Sequence, residues 1–291
     1  MRVLMAADGS KQCTAGLVSA SHLLKADDLA VDLLCVAPKV DPKKPTLEEK
    51  LKRRACRLAE RTRLLLADEG VSAKAKVQVG SPARVLMRCA QNYDVVAVAA
   101  QSHSDGAVAG LGPVASRVVE HANTTVLLGR GGASESAPRV LVPVDGSEAS
   151  FHAIEKLGSL VDLAGSEVTL MHVIETPWLR PVDEMEWIAG DEAELDPQAQ
   201  TDLEREFTQE AETLLEAARD KLPPRSTVDT LVYQGIPSDQ ILSELNTGDY
   251  DLVVLSATGE KDVKHRILGS VSSKVAWNAP CSVLLIHAGD N

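Results

Sequence analysis

Short apolar runs alternate along the chain with longer segments whose apolar residues recur every three or four positions. The run Leu252–Leu255, rich in β-branched residues, is typical of a strand that is buried on both faces of a parallel sheet. The longer segments have helical periodicity, and Ser10 precedes the first of them as a suitable N-cap. The alternation predicts α/β domains in which helices flank a mostly parallel sheet.

A long internal repeat divides this pattern into two halves. The sequence MRVLMAADGS at residues 1–10 returns as PRVLVPVDGS at residues 138–147, and the segment from Val95 returns from Leu252 at a separation of 157 residues. We therefore predict two tandem doubly wound domains, residues 1–130 and 139–291, joined by a linker at residues 131–138. Each is expected to hold a five-stranded, mostly parallel sheet of order 3-2-1-4-5, flanked by helices.

The predicted strand order also places the ligand crevice. It lies beyond the carboxyl ends of strands 1 and 4, where the chain reverses direction. The Asp-Gly-Ser turn after strand 1 and the loop after strand 4 both border this crevice, and they belong to the most closely repeated segments. The last strand lies at a sheet edge, which favours its pairing with the counterpart from the other half or from another chain.

Composition excludes several classes of protein. Of the 291 residues, 44% are hydrophobic and 25% are charged, which are globular values, whereas only 3% are aromatic. No apolar run has the length of a membrane span and the N-terminus has no signal-peptide layout, so we expect a cytoplasmic protein without a membrane partner. The net charge of −12 argues against non-specific nucleic-acid binding.

The charge is divided unequally between the halves. Residues 1–130 carry a net charge of +6 and residues 139–291 a net charge of −17. Opposite charges favour association of the halves, within one chain or between chains. The helix predicted from Thr46 to Glu69, with Thr46 and Glu49 in capping-box spacing, carries many of the cations. That basic side is either a solvated face or a docking surface for an acidic partner.

The five cysteines are widely spaced, without a Cys-x-x-Cys pair or a zinc-like cluster. They are expected to be reduced structural thiols, with Cys35 and Cys281 buried in strands. A redox role is the less favoured alternative, and no metal site is predicted.

The chemistry of an anion site is concentrated after Leu255. A small-residue turn, a basic loop and then the helix start Gly269-Ser270-Val271-Ser272 follow this strand. Backbone N–H groups point outward at a helix N-terminus and the helix dipole favours an anion, so the segment is expected to hold phosphate.

The spacing Gly259-x9-Gly269-Ser270 resembles the nucleotide-binding signature of the universal stress protein family, except that Ser256 stands where the family has its first glycine. Together with the turn Pro143–Ser147, the resemblance covers essentially the whole chain as a tandem pair. It implies an adenine nucleotide, ATP with Mg²⁺, with Asp145 and the backbone of Val173 contacting adenosine. It places five residues of the loop and helix start around the phosphates: Gly259, Gly269, Ser270, Val271 and Ser272. The neighbouring turn residues that complete the predicted site are Pro143, Val144, Ser256 and Ala257.

Other interpretations of these residues remain open. Asp145 before Gly-Ser can serve only to stabilise a turn. If position 256 requires a positive φ, a serine there carries a steric cost that glycine avoids. His172 is expected to be a satisfied core histidine rather than a ligand.

The first half departs further from the signature. Ser102 replaces the glycine of the second half and Pro113 replaces Ser270, which removes a hydroxyl and an N–H. Gly112 and Asp8 are retained, and His103 with Asp105 is interpreted as a solvated loop rather than an acid–base pair. We predict that the first half has lost nucleotide binding and is a structural or regulatory partner.

Residues 176–200 of the second half have no counterpart in the first. This proline-containing, acidic excursion with Trp178 and Trp187 is either disordered or a lid or partner contact.

The leading functional hypothesis is a stress-response or signalling regulator that binds ATP in its second domain, acts on an unidentified protein partner and forms a homodimer. The first alternative is a nucleotide-independent interaction module of the same fold. The second, an adenylate-handling enzyme, is disfavoured because the sequence has neither a lysine-containing signature nor a second substrate site. Nothing identifiable in the sequence activates a water, so we expect at most slow, incidental ATP hydrolysis.

Overall fold

A computed structural model of the chain describes residues 1–25, 29–41, 43–101, 110–131, 137–175, 197–223, 226–257 and 268–287. Strands and helices alternate over these ranges, as the hydrophobic pattern predicts. The strands are β1 (Arg2–Ala7), β2 (Ala30–Ala37), β3 (Ala73–Val79), β4 (Val95–Ala99), β5 (Thr125–Gly129), β6 (Arg139–Pro143), β7 (Glu167–Ile174), β8 (Thr227–Gln234), β9 (Leu252–Ser256) and β10 (Ser282–Ile286). The helices are α1 (Lys11–Leu23), α2 (Pro45–Asp68), α3 (Pro82–Ala90), α4 (Pro113–His121), α5 (Glu148–Leu160), α6 (Pro197–Arg219), α7 (Pro237–Thr247) and α8 (Ser270–Asn278).

The strands form one ten-stranded sheet of order β3-β2-β1-β4-β5-β10-β9-β6-β7-β8. Each half therefore has the predicted order 3-2-1-4-5, and all pairs within a half are parallel. The predicted fold class is confirmed.

The two halves join through their last strands. β10 pairs antiparallel with β5, with Val283 opposite Leu128 and Leu285 opposite Val126. The prediction that the final strand pairs with its counterpart is thus confirmed within the chain, and both inner sheet edges are closed.

Helices cover both faces of the sheet. The helices α1, α2, α5 and α6 share one apolar cluster with the strands, and α3, α4, α7 and α8 share the cluster on the opposite face. The core consists mainly of Val, Leu, Ile and Ala, in line with the low aromatic content.

The charged helices lie far apart on one face. Helix α2, which carries the basic side, packs on β2 and β3, whereas the acidic α6 packs on β7 and β8 at the other end of the sheet. The halves meet through apolar strands instead, so attraction between these two helices does not hold them together.

Helix starts follow local chemistry. The hydroxyls of Ser10 and Ser147 accept hydrogen bonds from the backbone N–H of Cys13 and Ser150, each at 3.1 Å, and cap α1 and α5 as N-caps do. The capping box predicted at Thr46 is wrong, because α2 begins at Pro45 with Lys44 as an uncapped N-cap. Proline suits the first helical position because it has no N–H to satisfy there.

Two further predictions concern the bounds of helix α8 and the segment 176–200. Helix α8 begins at Ser270 and ends at Asn278, as predicted. Residues 176–196 lie outside the described part, so the lid and disorder hypotheses stay open, whereas α6 already includes residues 197–200. Within the described ranges, no helix combines the length and the apolarity needed to cross a membrane.

Candidate functional site

The crevice predicted in the second domain lies where β6 and β9 separate. Their pairing includes Val140 with Leu252 and Leu141 with Val253 and then stops. The N–H of Val144 donates to the carbonyl of Met171 in β7. Because the N–H groups of successive strand residues point to opposite sides, an N–H at position 143 would point toward β9. Pro143 has no N–H to donate there. In the first domain Ala6 stands at this position and the corresponding pairing continues to Ala6 with Val98. A proline therefore opens the sheet at the carboxyl ends of β6 and β9.

Asp145 follows this opening and is exposed. Its Oδ1 accepts hydrogen bonds from the N–H of Ser147 at 3.0 Å and from its hydroxyl at 2.6 Å. The carboxylate therefore fixes the turn, which bears out the turn-stabilising interpretation, and it also faces solvent at the mouth of the crevice.

The neighbouring strand β7 supplies Val173 and His172. The side chain of Val173 is buried, and His172 Nδ1 lies 2.7 Å from the carbonyl oxygen of Val144. The expectation that His172 is a satisfied histidine is confirmed, since its ring links the ends of β6 and β7.

The start of α8 forms the other side of the crevice. The N–H of Gly269 donates to the carbonyl of Ala257 at 2.9 Å, which brings the two ends of the intervening loop together. Gly269 is the N-cap and has no side chain to satisfy the first-turn N–H groups, while the side chain of Ser270 is exposed. An uncapped first turn beside an exposed hydroxyl is suited to an anion.

Two serines of the predicted site take structural positions. Ser256 lies in β9 and pairs with Ile286. Its backbone is that of an extended strand, so the steric cost of a positive φ does not arise at this position. Ser272 is buried, and its hydroxyl donates to the carbonyl of Ser256 at 2.7 Å. Val271, in the first turn of α8, is half-buried. Gly259 lies outside the described residues, so its predicted contact with phosphate stays a prediction.

The first domain has a cavity in the corresponding place. Its volume is about 280 Å³, and it lies at the carboxyl ends of β1, β2 and β4, with α2 along one side. Asp8 and Gly112, which the sequence analysis matched to the second site, both line it. Ser102, His103 and Asp105 lie outside the described residues.

Helix α4 borders this cavity with a different first turn. Pro113 is its first residue, and the N–H of the N-cap Gly112 donates to the carbonyl of Ala100 at 2.7 Å. Ala115 stands where the second domain has Ser272. The Gly112 bond matches that of Gly269 in the second domain, so the difference at the helix start is Pro113, which lacks the N–H and the hydroxyl of Ser270. Loss of nucleotide binding in the first domain stays a prediction.

Buried thiols form part of the cavity wall. Burial, and next to it the negative charge of Asp8, raises the pKa of Cys13 to about 12 and the pKa of Cys35 to about 11. Both thiols are thus protonated near neutral pH and resemble small apolar groups rather than nucleophiles. Cys281 is also buried, and burial raises its pKa to about 12 although the Arg130 charge opposes the shift. Cys35 and Cys281 are therefore buried as predicted.

The signature positions alone do not reveal this cavity. The available signal was side-chain size along the repeat: Ala7 and Ala37 correspond to Val144 and Ile174. Among the described residues, no group of three or more His, Cys, Asp or Glu side chains is arranged to hold a metal ion.

Comparisons with known proteins agree with the duplicated architecture. The model of the "Universal stress protein family" matches twice, over residues 1–130 and 137–287. The universal stress protein YxiE of Bacillus subtilis is 26% identical over 150 residues, which cover 51% of this chain and 98% of that protein. A universal stress protein from Archaeoglobus fulgidus aligns over 99% of this chain and 98% of its own, with a TM-score of 0.67 and 18% identity, and shows the same fold. A universal stress protein solved in complex with cAMP aligns over 53% of this chain and 98% of its own, at 20% identity and a TM-score of 0.33.

Proposed function

Since the chain belongs to the universal stress protein family, we propose that its second domain binds an adenine nucleotide, ATP with Mg²⁺, and that the nucleotide-bound protein regulates a protein partner in a stress response or signalling. The cAMP complex is a property of that relative, and the proposal for this chain depends on the crevice between β6 and β9.

The uncapped first turn of α8 carries the proposal. It begins directly at the opening that Pro143 leaves in the sheet, with the hydroxyl of Ser270 exposed beside it. The first-turn N–H groups have no side-chain cap, so an anion there satisfies donors that are otherwise left to water. The N-cap of α5, in contrast, is occupied by the hydroxyl of Ser147.

The other residues of the crevice have matching roles. Asp145 at the opposite rim accepts hydrogen bonds from the nucleoside, and the backbone beside Val173 contacts the base. Gly269, Ser270 and Val271 hold the phosphates, with Ser272 fixing the helix start against Ser256.

The residues at the crevice also fit Mg²⁺ with nucleotide. Carboxylate, hydroxyl and phosphate oxygens are the ligands this ion prefers, and it commonly binds through one carboxylate together with phosphates. The hydroxyl of Ser270, beside the phosphates, would offer one such oxygen. The ion neutralises phosphate charge when it is bound, while the chain's own residues bind and orient the nucleotide.

We propose that the protein is a regulator rather than an enzyme, with at most incidental ATP hydrolysis. We also propose that it acts in the cytoplasm and forms a homodimer. Since β5 and β10 already pair with each other, such a dimer would have to use surfaces other than these two strand edges.

A nucleotide-independent interaction module is the second candidate. It is favoured by the hydrogen bonds that Asp145 makes within its own turn and by the bond of Ser272 to a carbonyl. Both residues are occupied structurally without any ligand.

Titration calorimetry with Mg-ATP separates the two candidates. Ser270→Ala removes one hydrogen bond to a charged oxygen, worth about 1.5 kcal/mol, and should weaken binding about tenfold. Gly269→Val should abolish binding, because its side chain projects into the space the phosphate needs. Ser159→Ala, also an exposed helical serine but on α5, is the matched control and should bind like the wild type. Absence of heat with the wild-type protein at millimolar Mg-ATP would reject the nucleotide proposal in favour of the interaction module.

A further inference from the structure

We propose that the cavity of the first domain is a separate binding site for a small, uncharged ring compound without phosphate that carries a single hydrogen-bond donor. This goes beyond nucleotide binding in the second domain, because it concerns another domain and another ligand chemistry. The ligand is recognised by apolar walls around its ring and by the carboxylate of Asp8 at the rim.

The cavity exists because the first domain has smaller residues than the second at equivalent positions. The register of β1 with β2 and of β6 with β7 separates paired residues by 28 in both domains, so Cys35 corresponds to His172 and Ala37 to Ile174. In the second domain the His172 ring reaches the end of β6, with Nδ1 at 2.7 Å from the Val144 carbonyl oxygen, and Ile174 is buried. A thiol and a methyl take their places in the first domain, so less side-chain volume stands at the carboxyl end of β2 than at that of β7.

Helix α2 contributes to the same difference. Its buried residue Ala59 packs with Cys35 and Ala37 in a small cluster under the helix. Ala59 corresponds to Leu215 of α6. The two helices bury residues at the same spacing, namely Ala55, Ala59 and Leu66 on α2 and Ala211, Leu215 and Leu222 on α6. Of these α2 residues Ala55 lines the cavity, and Ala59 acts only through its packing with Cys35 and Ala37.

The size and lining select the ligand. An apolar cavity of ~150 Å³ binds benzene, so a volume of about 280 Å³ admits a bicyclic ring. Leu34, Leu58, Leu86 and Val98 line the walls together with the two protonated thiols. Contact of an apolar ring with such walls is favourable, whereas burying a charge against them costs free energy.

The polar groups at the cavity set the charge of the ligand. Asp8 is half-buried and its Oδ1 accepts a hydrogen bond from the N–H of Ser10 at 2.8 Å, so a donor of the ligand would share this carboxylate with the turn, and Arg54 is exposed. These two are the charged residues among the described residues of the lining, and their charges cancel, so the site selects neither an anion nor a cation strongly.

The first domain offers a phosphate fewer donors than the second. Pro113 has neither the N–H nor the hydroxyl that Ser270 supplies at the same position of α8. These features separate the proposed ligand from a nucleotide.

Indole is a suitable probe, because it is an uncharged bicyclic ring with one N–H donor. In alanine-methyl NMR of the full chain, indole should shift the Ala7 and Ala37 methyl resonances in a saturable manner and leave Ala153 in α5 unchanged. AMP, tested at the same concentration, should leave the Ala7 and Ala37 methyls unchanged. Indole without effect on these methyls at millimolar concentration, or AMP shifting them more strongly than indole, would overturn the proposal.

Substitutions borrowed from the second domain test the cavity itself. Ala37→Ile should fill it and weaken indole binding by about tenfold or more, while Mg-ATP binding in the second domain is unchanged. Ala30→Val, at the exposed start of the same strand, is the matched control and should bind indole like the wild type. Should Ala37→Ile not fold, Ala7→Val makes the same test, since Val144 is accommodated at its equivalent. Unchanged indole affinity in the filled variant would reject the cavity as the site. A wild-type protein that binds indole but not Mg-ATP would reject only the nucleotide proposal for the second domain.

Discussion

Gly129 in β5 and Gly16 in α1 touch through their backbones: a Cβ placed on Gly129 would lie 1.8 Å from the carbonyl oxygen of Gly16. The reverse addition, a Cβ on Gly16, would meet the carbonyl oxygen of Gly129 at 2.8 Å. Glycine inside a helix costs about 1 kcal/mol relative to alanine, so the close approach of α1 to β5 must offset that cost. The equivalent positions in the second domain are Ala153 and Ile286, so this contact is specific to the first half.

The first prediction follows from this contact. Gly129→Ala should lower the free energy of unfolding by about 3 kcal/mol, because the methyl collides with backbone that cannot rotate away. Denaturant unfolding measures the change. Gly70→Ala is the control: its φ is +81° but nothing lies within 4 Å of the added Cβ, so only backbone strain of about 1 kcal/mol is expected. Equal losses in the two variants would contradict the steric account.

The second prediction concerns the junction of the domains. The guanidinium of Arg130 donates to the carbonyls of Ala276 and Cys281, at 2.6 Å and 3.4 Å, and its backbone N–H donates to the Ser282 hydroxyl at 3.1 Å. Burial lowers the pKa of Arg130 to about 10, which still leaves it charged at neutral pH. Arg130→Met keeps the apolar stem but leaves these carbonyls without their donor, at a cost of about 1–3 kcal/mol.

Thermal unfolding of Arg130→Met should therefore show a lower midpoint than the wild type. Arg117→Met, on the exposed side of α4, removes a charge without removing such bonds and should change stability by less than about 0.5 kcal/mol. A midpoint for Arg130→Met equal to that of Arg117→Met would show that the Arg130 bonds do not stabilise the junction.

The third prediction is an order of thiol reactivity. Cys56 is exposed and Cys89 is half-buried, whereas Cys13, Cys35 and Cys281 are buried with raised pKa values. Alkylation at pH 8 followed by mass spectrometry should therefore label Cys56 first and Cys89 next. The three buried thiols should react much more slowly than these two until the protein is denatured, because burial raises their pKa values and withholds the thiolate form. Early labelling of Cys35 would contradict its burial under α2.

The fourth prediction is a pH dependence at the edge of the first domain. Asp32 Oδ2 accepts hydrogen bonds from Lys76 Nζ and from the Tyr93 hydroxyl, each at 2.6 Å. Burial alone would raise the pKa of Asp32, but these two hydrogen bonds outweigh it and lower the pKa. The ionised form therefore stabilises the fold above the unfolded pKa of about 4, and this contribution is lost as the pH falls through the folded pKa.

Asp32→Asn should accordingly reduce stability by about 1 kcal/mol at pH 7, with the deficit shrinking as the pH falls below about 4. Asp249→Asn, at an exposed aspartate, is the matched control and should differ little from the wild type at any pH. Denaturant unfolding at several pH values makes the comparison. A deficit of Asp32→Asn that is constant from pH 7 to pH 3 would refute the ionic origin.

The fold could be predicted because its signals are local and repeated. The Asp-Gly-Ser turns, the apolar runs and the helix start at Ser270 each specify an element, and the repeat then fixes the same topology twice. The sheet edge at β10 could likewise be predicted to pair, since an unpaired edge carries unsatisfied backbone groups. The capping-box spacing of Thr46 mispredicts the start of α2, because Pro45 takes the first helical position that proline prefers.

The cavity and the glycine contact could not be predicted in the same way. Both depend on the summed volumes of side chains that are distant in sequence, such as Cys35 on β2 and Ala59 on α2. Asp145 and Ser270 could be proposed for the candidate site because their signals, an Asp-Gly-Ser turn and a Gly-Ser helix start, are local in the sequence. The hydrogen bond between Ser272 and Ser256 requires the spatial pairing of β9 with the start of α8, which spacing alone does not give.

The antiparallel junction of β5 with β10 bears on how substitutions act in this protein. In an assembly of two identical subunits, every substitution occurs twice, so a change that improves one site alters the other as well. Here the two halves are covalently held at fixed one-to-one stoichiometry, and each is inherited as its own stretch of sequence. A substitution in one half therefore leaves the other half unchanged, as the contrast between Ile174 and Ala37 illustrates.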